Sequence, residues 1–165
     1  MASRDSHCSY CGAAYAPGQP WPRRCAACGE TTYRNPVPVA VAVLPVDDGA
    51  LVIRGSIPPR AGLLALPGGF VDHGESWQRA VVRELFEETG IVAAEPDVSL
   101  FDVHSAPDGT VLIFGLLPAT TAADLPVSVP NAEVAGWEIA RGTDGMVFDL
   151  HARVLTRYLS DRISA

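Results

Sequence analysis

Apolar and polar positions along residues 76–89 recur with the period of a helix. Val81 with Leu85, and Val82 with Phe86, fall on sides that face a core. Glu84, Glu87 and Glu88 stand at i, i+3 and i+4 and share another face over about one turn. Ser76 is placed to cap the first turn and Gly90 to end the last one in the left-handed conformation, so a helix is predicted from Ser76 to Thr89. A buried strand is predicted from Val37 to Val46, followed by a hairpin turn at Asp47-Asp48-Gly49 and a return strand from Ala50 to Arg54. Leu63 to Leu66 reads as a short strand, and Pro67-Gly68-Gly69 as a tight turn. Further strands are predicted at Val98 to His104, Val111 to Leu117 and Val134 to Ala140, with Phe101 and Phe114 assigned to the core. Pro118 to Pro130 is a long loop. From Met146 to Ile163, apolar residues at Val147, Leu150, Val154, Leu155, Tyr158 and Leu159 give a closing amphipathic helix, on which Asp149 and His151 read as surface groups. Strands with two helices predict an α/β/α sandwich around a mixed sheet.

Composition agrees with a folded chain. The 165 residues are 48% hydrophobic, enough for one domain and a small module. The formal charge of −7 disfavours bulk binding to nucleic acid or anionic membranes. The first ten residues are polar, without the apolar run of a signal peptide, and the most apolar stretch holds two prolines. A soluble cytoplasmic protein is expected.

All four cysteines lie in the first 28 residues, as Cys8-Ser-Tyr-Cys11 and Cys25-Ala-Ala-Cys28, each pair followed by glycine. Two such turns wrap four thiolates round a tetrahedral ion. Disulfides would need an oxidising compartment, of which the sequence gives no sign. Residues 1–35 are therefore read as a zinc ribbon, stapled by Zn²⁺ because so short a module buries too little surface to fold alone. With four thiolates and no open position, that zinc is structural. His7 adjoins Cys8 as a competing ligand. Pro36 and Pro38 mark a boundary, and residues 36–165 form a second domain.

Three carboxylates on one helical turn repel each other unless cations sit beside them, and Mg²⁺ or Mn²⁺ favours such hard oxygen ligands. The segment also resembles the Nudix box, G-x5-E-x7-R-E-U-x-E-E-x-G-U with U a bulky apolar residue. Gly69, Glu75, Arg83, Glu84, Leu85, Glu87, Glu88, Gly90 and Ile91 fill its defined positions without a gap. The resemblance implies the Nudix fold and metal-dependent hydrolysis of a nucleoside diphosphate linked to another group. It implies Glu84 and Glu88 as main ligands of Mg²⁺ or Mn²⁺, with Glu87 as a further ligand or the general base and Arg83 holding a carboxylate in place. Glu75 would support the loop or bind a second metal, and the Gly68 carbonyl is a candidate ligand. Glu133, outside the box, is a candidate ligand or base. Arg54 and Arg60, at the 55–62 loop, would meet substrate phosphates.

A ribbon followed by a Nudix domain is similar to the NADH and FAD pyrophosphatase-like subgroups, and its layout looks more like the FAD type. The S-Q-P-W-P-F-P signature of the NADH group is missing after the box; Gln19-Pro20-Trp21-Pro22 matches part of it, but inside the ribbon. A dinucleotide cofactor or ADP-ribose is the expected substrate, and relatives with this layout suggest a homodimer. Two other readings stand beside this one. One is a non-catalytic ligand sensor, which the intact set of box carboxylates disfavours. The other is an RNA-end-processing pyrophosphohydrolase, which the acidic balance disfavours.

Overall fold

The computed structural model describes residues 5–58 and 61–163. Contacts divide the chain into two compact units, Met1–Pro36 and Val37–Ala165.

The first unit is built from two similar knuckles and a short hairpin of β1 (Arg23–Arg24) and β2 (Thr31–Thr32). In the first knuckle the Gly12 N–H donates to the Cys8 carbonyl at 2.9 Å, and the Cys8 N–H donates to the Ala13 carbonyl at 2.8 Å. The second repeats this with Gly29 to Cys25 and Cys25 to Glu30, at the same distances. Both glycines turn left-handed, at φ 75° and 79°, a conformation that costs a side chain dearly. Tyr15 packs against Cys8 and Cys25, and its hydroxyl donates to Thr32 Oγ1 at 2.6 Å.

The second unit holds two four-stranded sheets rather than one. The first is mixed, in the order β7-β3-β9-β8: β3 (Val37–Val43), β7 (Gly68–Phe70), β8 (Ser99–Ser105) and β9 (Thr110–Leu116). Its β3 and β9 run parallel, from Val37 beside Thr110 to Val43 beside Leu116. In the second sheet, β5 (Gly49–Gly55) pairs along one edge with β10 (Val134–Ala140). Along its other edge it pairs with β4 (Pro45–Val46) and β6 (Leu64–Ala65). The strand expected over Val37 to Val46 is thus two strands, and the chain passes between sheets at Leu44. Gly68 and Gly69, expected in a turn, are strand residues paired with Val41 and Ala40.

Two helices cover the sheets, α1 (Trp77–Thr89) and α2 (Asp149–Ile163). The side chains of β3 alternate between two cores. Ala40 and Ala42 join Val81 and Leu85 of α1, while Val41 and Val43 join Phe114 and the Val154, Leu155 and Tyr158 of α2. Burial on both faces is why this strand is apolar at nearly every position. Phe114 is fully buried, worth about 2–3 kcal/mol in apolar transfer.

The α1 caps follow from sequence. Ser76 Oγ accepts the Arg79 N–H at 3.0 Å, and Gly90 adopts φ 75° while its N–H donates to the Phe86 carbonyl. Val82 packs at the edge of the core as expected, but Phe86 is exposed, because the buried stripe runs through Ala80, Val81, Leu85 and Thr89. Helix α2 begins three residues later than expected. Before it, Met146 bridges to Leu64 and the Val147 N–H donates to the Leu64 carbonyl at 2.8 Å, so this stretch lies along β6. Among the described residues, no helix is long and apolar enough to cross a membrane.

Candidate active site

Helix α1 presents its acidic face to β7, and the fit depends on two residues without side chains. A Cβ at Gly69 would fall onto the Glu84 carboxylate. A Cβ at Gly68 would run into the backbone of Ala40 and Val41. With neither in the way, the Gly68 N–H donates to Glu88 Oε2 at 2.9 Å.

Arg83 organises the rest. Its Nη2 donates to Glu75 Oε1 at 2.6 Å and to the Phe70 carbonyl at 3.0 Å, and its Nε reaches Glu75 Oε2 at 3.3 Å. Its Nη1 lies 2.7 Å from Glu84 Oε1 and 3.2 Å from Glu87 Oε2. Glu75 also accepts the Asp72 N–H at 2.8 Å, so both its oxygens are occupied. The Arg83 guanidinium holds the Glu75 carboxyl below its usual range. Glu84 behaves oppositely. Burial raises its pKa despite Arg83, and the charges of Glu87 and Glu133 push the same way.

These groups border a cleft of about 520 Å³, with Gly68, Gly69, Arg83, Glu84, Glu88 and Glu133 on its walls. Glu87 is not on that lining, and its side chain is 55% exposed. Glu133 is held by a contact not expected from the sequence. Asn131 Oδ1 accepts the N–H groups of Glu133 and Val134 at 2.9 and 2.8 Å, while its Nδ2 donates to the Glu87 carbonyl at 3.0 Å. Asn131 thereby ties the start of β10 to the end of α1. The Asn after Pro130, two residues before Glu133, was the available sign, since Asn side chains often close such local turns.

Arg54 pairs with both oxygens of Glu138, at 2.8 and 2.9 Å, and its Nη1 donates to the Gly62 carbonyl. It is not on the lining of the carboxylate cleft. Arg60 lies outside the described residues.

A second cleft, of about 560 Å³, adjoins the first and shares Gly68, Gly69, Phe70 and Val147 with it. Its floor includes His151, expected at the surface but only 6% exposed. Helix α2 turns this residue inward between Phe114 and Phe148, with ring centroids 5.6 and 5.0 Å away. His151 Nδ1 accepts the Leu66 N–H at 3.2 Å, and burial lowers its pKa to about 4.

The four thiols form a separate cluster. Their sulfur atoms all lie within 4.8 Å of one another, with Cys8 and Cys25 buried and Cys11 and Cys28 exposed. Among the described residues no other set of three or more His, Cys, Asp or Glu side chains is so gathered, and His7 is not part of this one. The Cys11 N–H lowers the Cys8 thiol to about 6 and the Cys28 N–H lowers Cys25, while burial and the three neighbouring thiols push Cys28 up to about 12, so the thiols share their protons unevenly. The donor set suits a tetrahedral soft-ligand ion. The α1 cleft has the other chemistry. Arg83 is one cation against Glu75, Glu84 and Glu87, while Glu88 and Glu133 add further negative charge on the walls. Surplus carboxylate around open space fits a hard divalent cation.

A family model described as NUDIX domain matches residues 36–147. Over 77 residues the chain is 43% identical to an ADP-ribose pyrophosphatase of Methanocaldococcus jannaschii, covering 46% of this chain and 44% of that one. Over 83 residues it is 36% identical to the NAD-capped RNA hydrolase NudC of Edwardsiella ictaluri, covering 50% and 32%. The matched stretch thus spans less than half the length of these curated relatives. Among solved structures, the NUDIX hydrolase from Nitrosomonas europaea shares the fold, with a TM-score of 0.71 at 22% identity over 97% of this chain and 93% of that one.

Proposed function

This chain belongs to the NUDIX domain family, and on that premise we propose that it hydrolyses the diphosphate bond of a nucleoside diphosphate derivative with the help of Mg²⁺ or Mn²⁺. The observation that carries this reading is the convergence of Glu84, Glu88 and Glu133 on one cleft beside the glycine pair of β7. The substrate class follows from two relatives, whose printed substrates are ADP-ribose and NAD-capped RNA. Both contain an adenosine diphosphate joined to a second ribose, so a dinucleotide cofactor or ADP-ribose itself is the reading for this chain.

Glu84 and Glu88 would hold the divalent cation, which when bound neutralises phosphate oxygens and lowers the pKa of a bound water. The remaining chemistry belongs to side chains and backbone. The Gly68 N–H fixes the Glu88 carboxylate, and Arg83 fixes that of Glu84. Glu75 acts through Arg83, as the carboxylate that holds the guanidinium against α1. Glu133, on the cleft wall and held there through its N–H by Asn131, would accept the proton of the attacking water. Glu87, off the lining, adds negative field and restrains Arg83. The four cysteines would hold a structural Zn²⁺.

The test is a panel of FAD, NADH, ADP-ribose and nucleoside triphosphates with Mg²⁺ or Mn²⁺, on the native chain and on Glu88→Gln. Hydrolysis of at least one diphosphate compound is expected. In Glu88→Gln turnover should fall on the order of a thousandfold, since a catalytic cation supplies several kcal/mol. Near-native turnover in that variant would remove Glu88 from the metal site. A compound that raises the melting temperature but is never cleaved would favour a sensor.

A further inference from the structure

The four cysteines are arranged for more than holding an ion. Cys8 Sγ lies 3.7 Å from Cys28 Sγ, and Cys11 Sγ lies 3.6 Å from Cys25 Sγ. Both contacts run from one knuckle to the other. Each joins an exposed cysteine, Cys28 or Cys11, to a buried one, Cys8 or Cys25. Tyr15 packs against the two buried members, so a small solute meets Cys11 and Cys28 first. An accessible sulfur with a second sulfur in contact is the pattern in which oxidation is caught as a disulfide instead of running on to the higher acids.

A hydroperoxide is the oxidant for which the step balances. Cys11 Sγ attacks one peroxide oxygen, the O–O bond breaks, and the other oxygen leaves as water or an alcohol with the thiol proton. Cys11 is then a sulfenic acid. Cys25 Sγ attacks that sulfur, the S–S bond forms, the S–O bond breaks, and the hydroxyl leaves as water with the Cys25 proton. From thiolates, the same protons come from solvent. Cys28 and Cys8 repeat the sequence, so each disulfide consumes one peroxide. Each also removes two donors from the set of four, and affinity for a tetrahedral ion goes with the first. The pairing decides what is left of the ribbon. Cys8 and Cys28 are 20 positions apart, Cys11 and Cys25 are 14 apart, and the second link nests inside the first. Such links tie knuckle to knuckle, as an ion does, and closing longer loops constrains the unfolded chain more. Links within Cys8–Cys11 and Cys25–Cys28 would close only short rings and leave the knuckles unjoined.

We propose that the four-thiol cluster is an oxidation site for hydroperoxides, in which Cys11 and Cys28 react first and the buried Cys25 and Cys8 then close the disulfides Cys11–Cys25 and Cys8–Cys28. Oxidation thereby exchanges one staple for another: the metal leaves, and the ribbon stays folded on two crossed links. The release of metal rests on the reading that these cysteines hold Zn²⁺; the pairing rests on the sulfur contacts alone.

The test uses the full chain, loaded with zinc and titrated with hydrogen peroxide. Released zinc is read with a chromogenic chelator, the disulfides by non-reducing peptide mapping, and the fold of residues 5–36 by amide exchange. Zinc should leave with about one equivalent of peroxide per chain, and both links should be closed at about two. The map should show Cys8–Cys28 and Cys11–Cys25. Amide protection in residues 5–36 should largely survive this oxidation, whereas chelation of the reduced chain removes it. Dithiothreitol with added zinc should restore the starting state. Links within the knuckles, sulfinic acid at Cys11 or Cys28, or protection lost together with the zinc would overturn the proposal. A chain that binds no zinc yet closes the two crossed links keeps the oxidation site and removes the metal reading. Zinc released without those links removes the oxidation site and leaves the metal reading standing.

Discussion

Protonation of His151 should destabilise the second unit over a defined pH window. Burial lowers this imidazole to about 4, against 6.5 for the free side chain. Protons therefore bind the unfolded chain first as pH falls, and each one drawn there favours unfolding. The stabilisation is fully present above pH 6.5, is lost as pH falls through the 6.5-to-4 interval, and changes no further below it. The whole gap corresponds to about 3 kcal/mol, at 1.36 kcal/mol for each pH unit. By pH 5 the unfolded imidazole is nearly all charged and the folded one nearly all neutral, so about 2 kcal/mol should already be gone relative to pH 7.5. Stopping at pH 5 also keeps clear of the carboxylates that the fold holds low, such as Glu75 and Asp102, whose stabilisation disappears only at more acid pH. The assay is urea unfolding of the native chain and of His151→Asn at both values. Asn keeps an acceptor for the Leu66 N–H but cannot titrate. The native chain should lose about 2 kcal/mol more than the variant between the two pH values. Changes in the cysteine unit are common to both proteins and cancel. Identical pH dependence in the two would break the link between this imidazole and stability, as would a ¹⁵N titration placing His151 near its ordinary value.

Two further outcomes are expected. Gly69→Ala should keep the fold but push the Glu84 carboxylate off its seat, lowering kcat by about tenfold or more with little change in melting temperature; unchanged turnover would show that the seat is not needed. Cys25→Ser, or strong chelation, should release one zinc per chain and abolish amide protection in residues 5–36 while leaving that of 37–163 in place; metal-free protein with unchanged protection would refute the zinc assignment.

The acidic helix was legible because its information is local. Ser76, Gly90 and the spacing of Glu84, Glu87 and Glu88 act within one element, and the structure keeps its expected bounds to a residue. The α/β character followed from the same kind of pattern. What stayed hidden was decided by partners distant in sequence. Nothing local to Val37–Val46 says that the chain changes sheets at Leu44, because both sides of the step are buried and apolar. Gly68 and Gly69 look like a turn until β3 lies beside them. His151 occupies a position where many helices carry a surface residue, and only Leu66, Phe114 and Phe148 make it an interior one. Likewise Glu87 and Glu88 are neighbours in sequence with equal chemistry. The Gly68 N–H, reaching across from β7, is one contact that tells them apart.

The parallel pairing of β3 with β9 has a consequence for how the chain is made. Partners such as Val37 and Thr110 are roughly 70 residues apart, a non-local closure of the kind that slows folding. During synthesis β3 leaves the ribosome first, with Val39 to Val43 apolar on both faces and no β9 yet to cover its edge. The whole acidic helix must emerge before that edge is sealed. The nascent chain therefore passes through a stage in which its stickiest strand is available to other chains. Fragments ending before residue 110 should collect in inclusion bodies, while chains extended past β9 become progressively soluble.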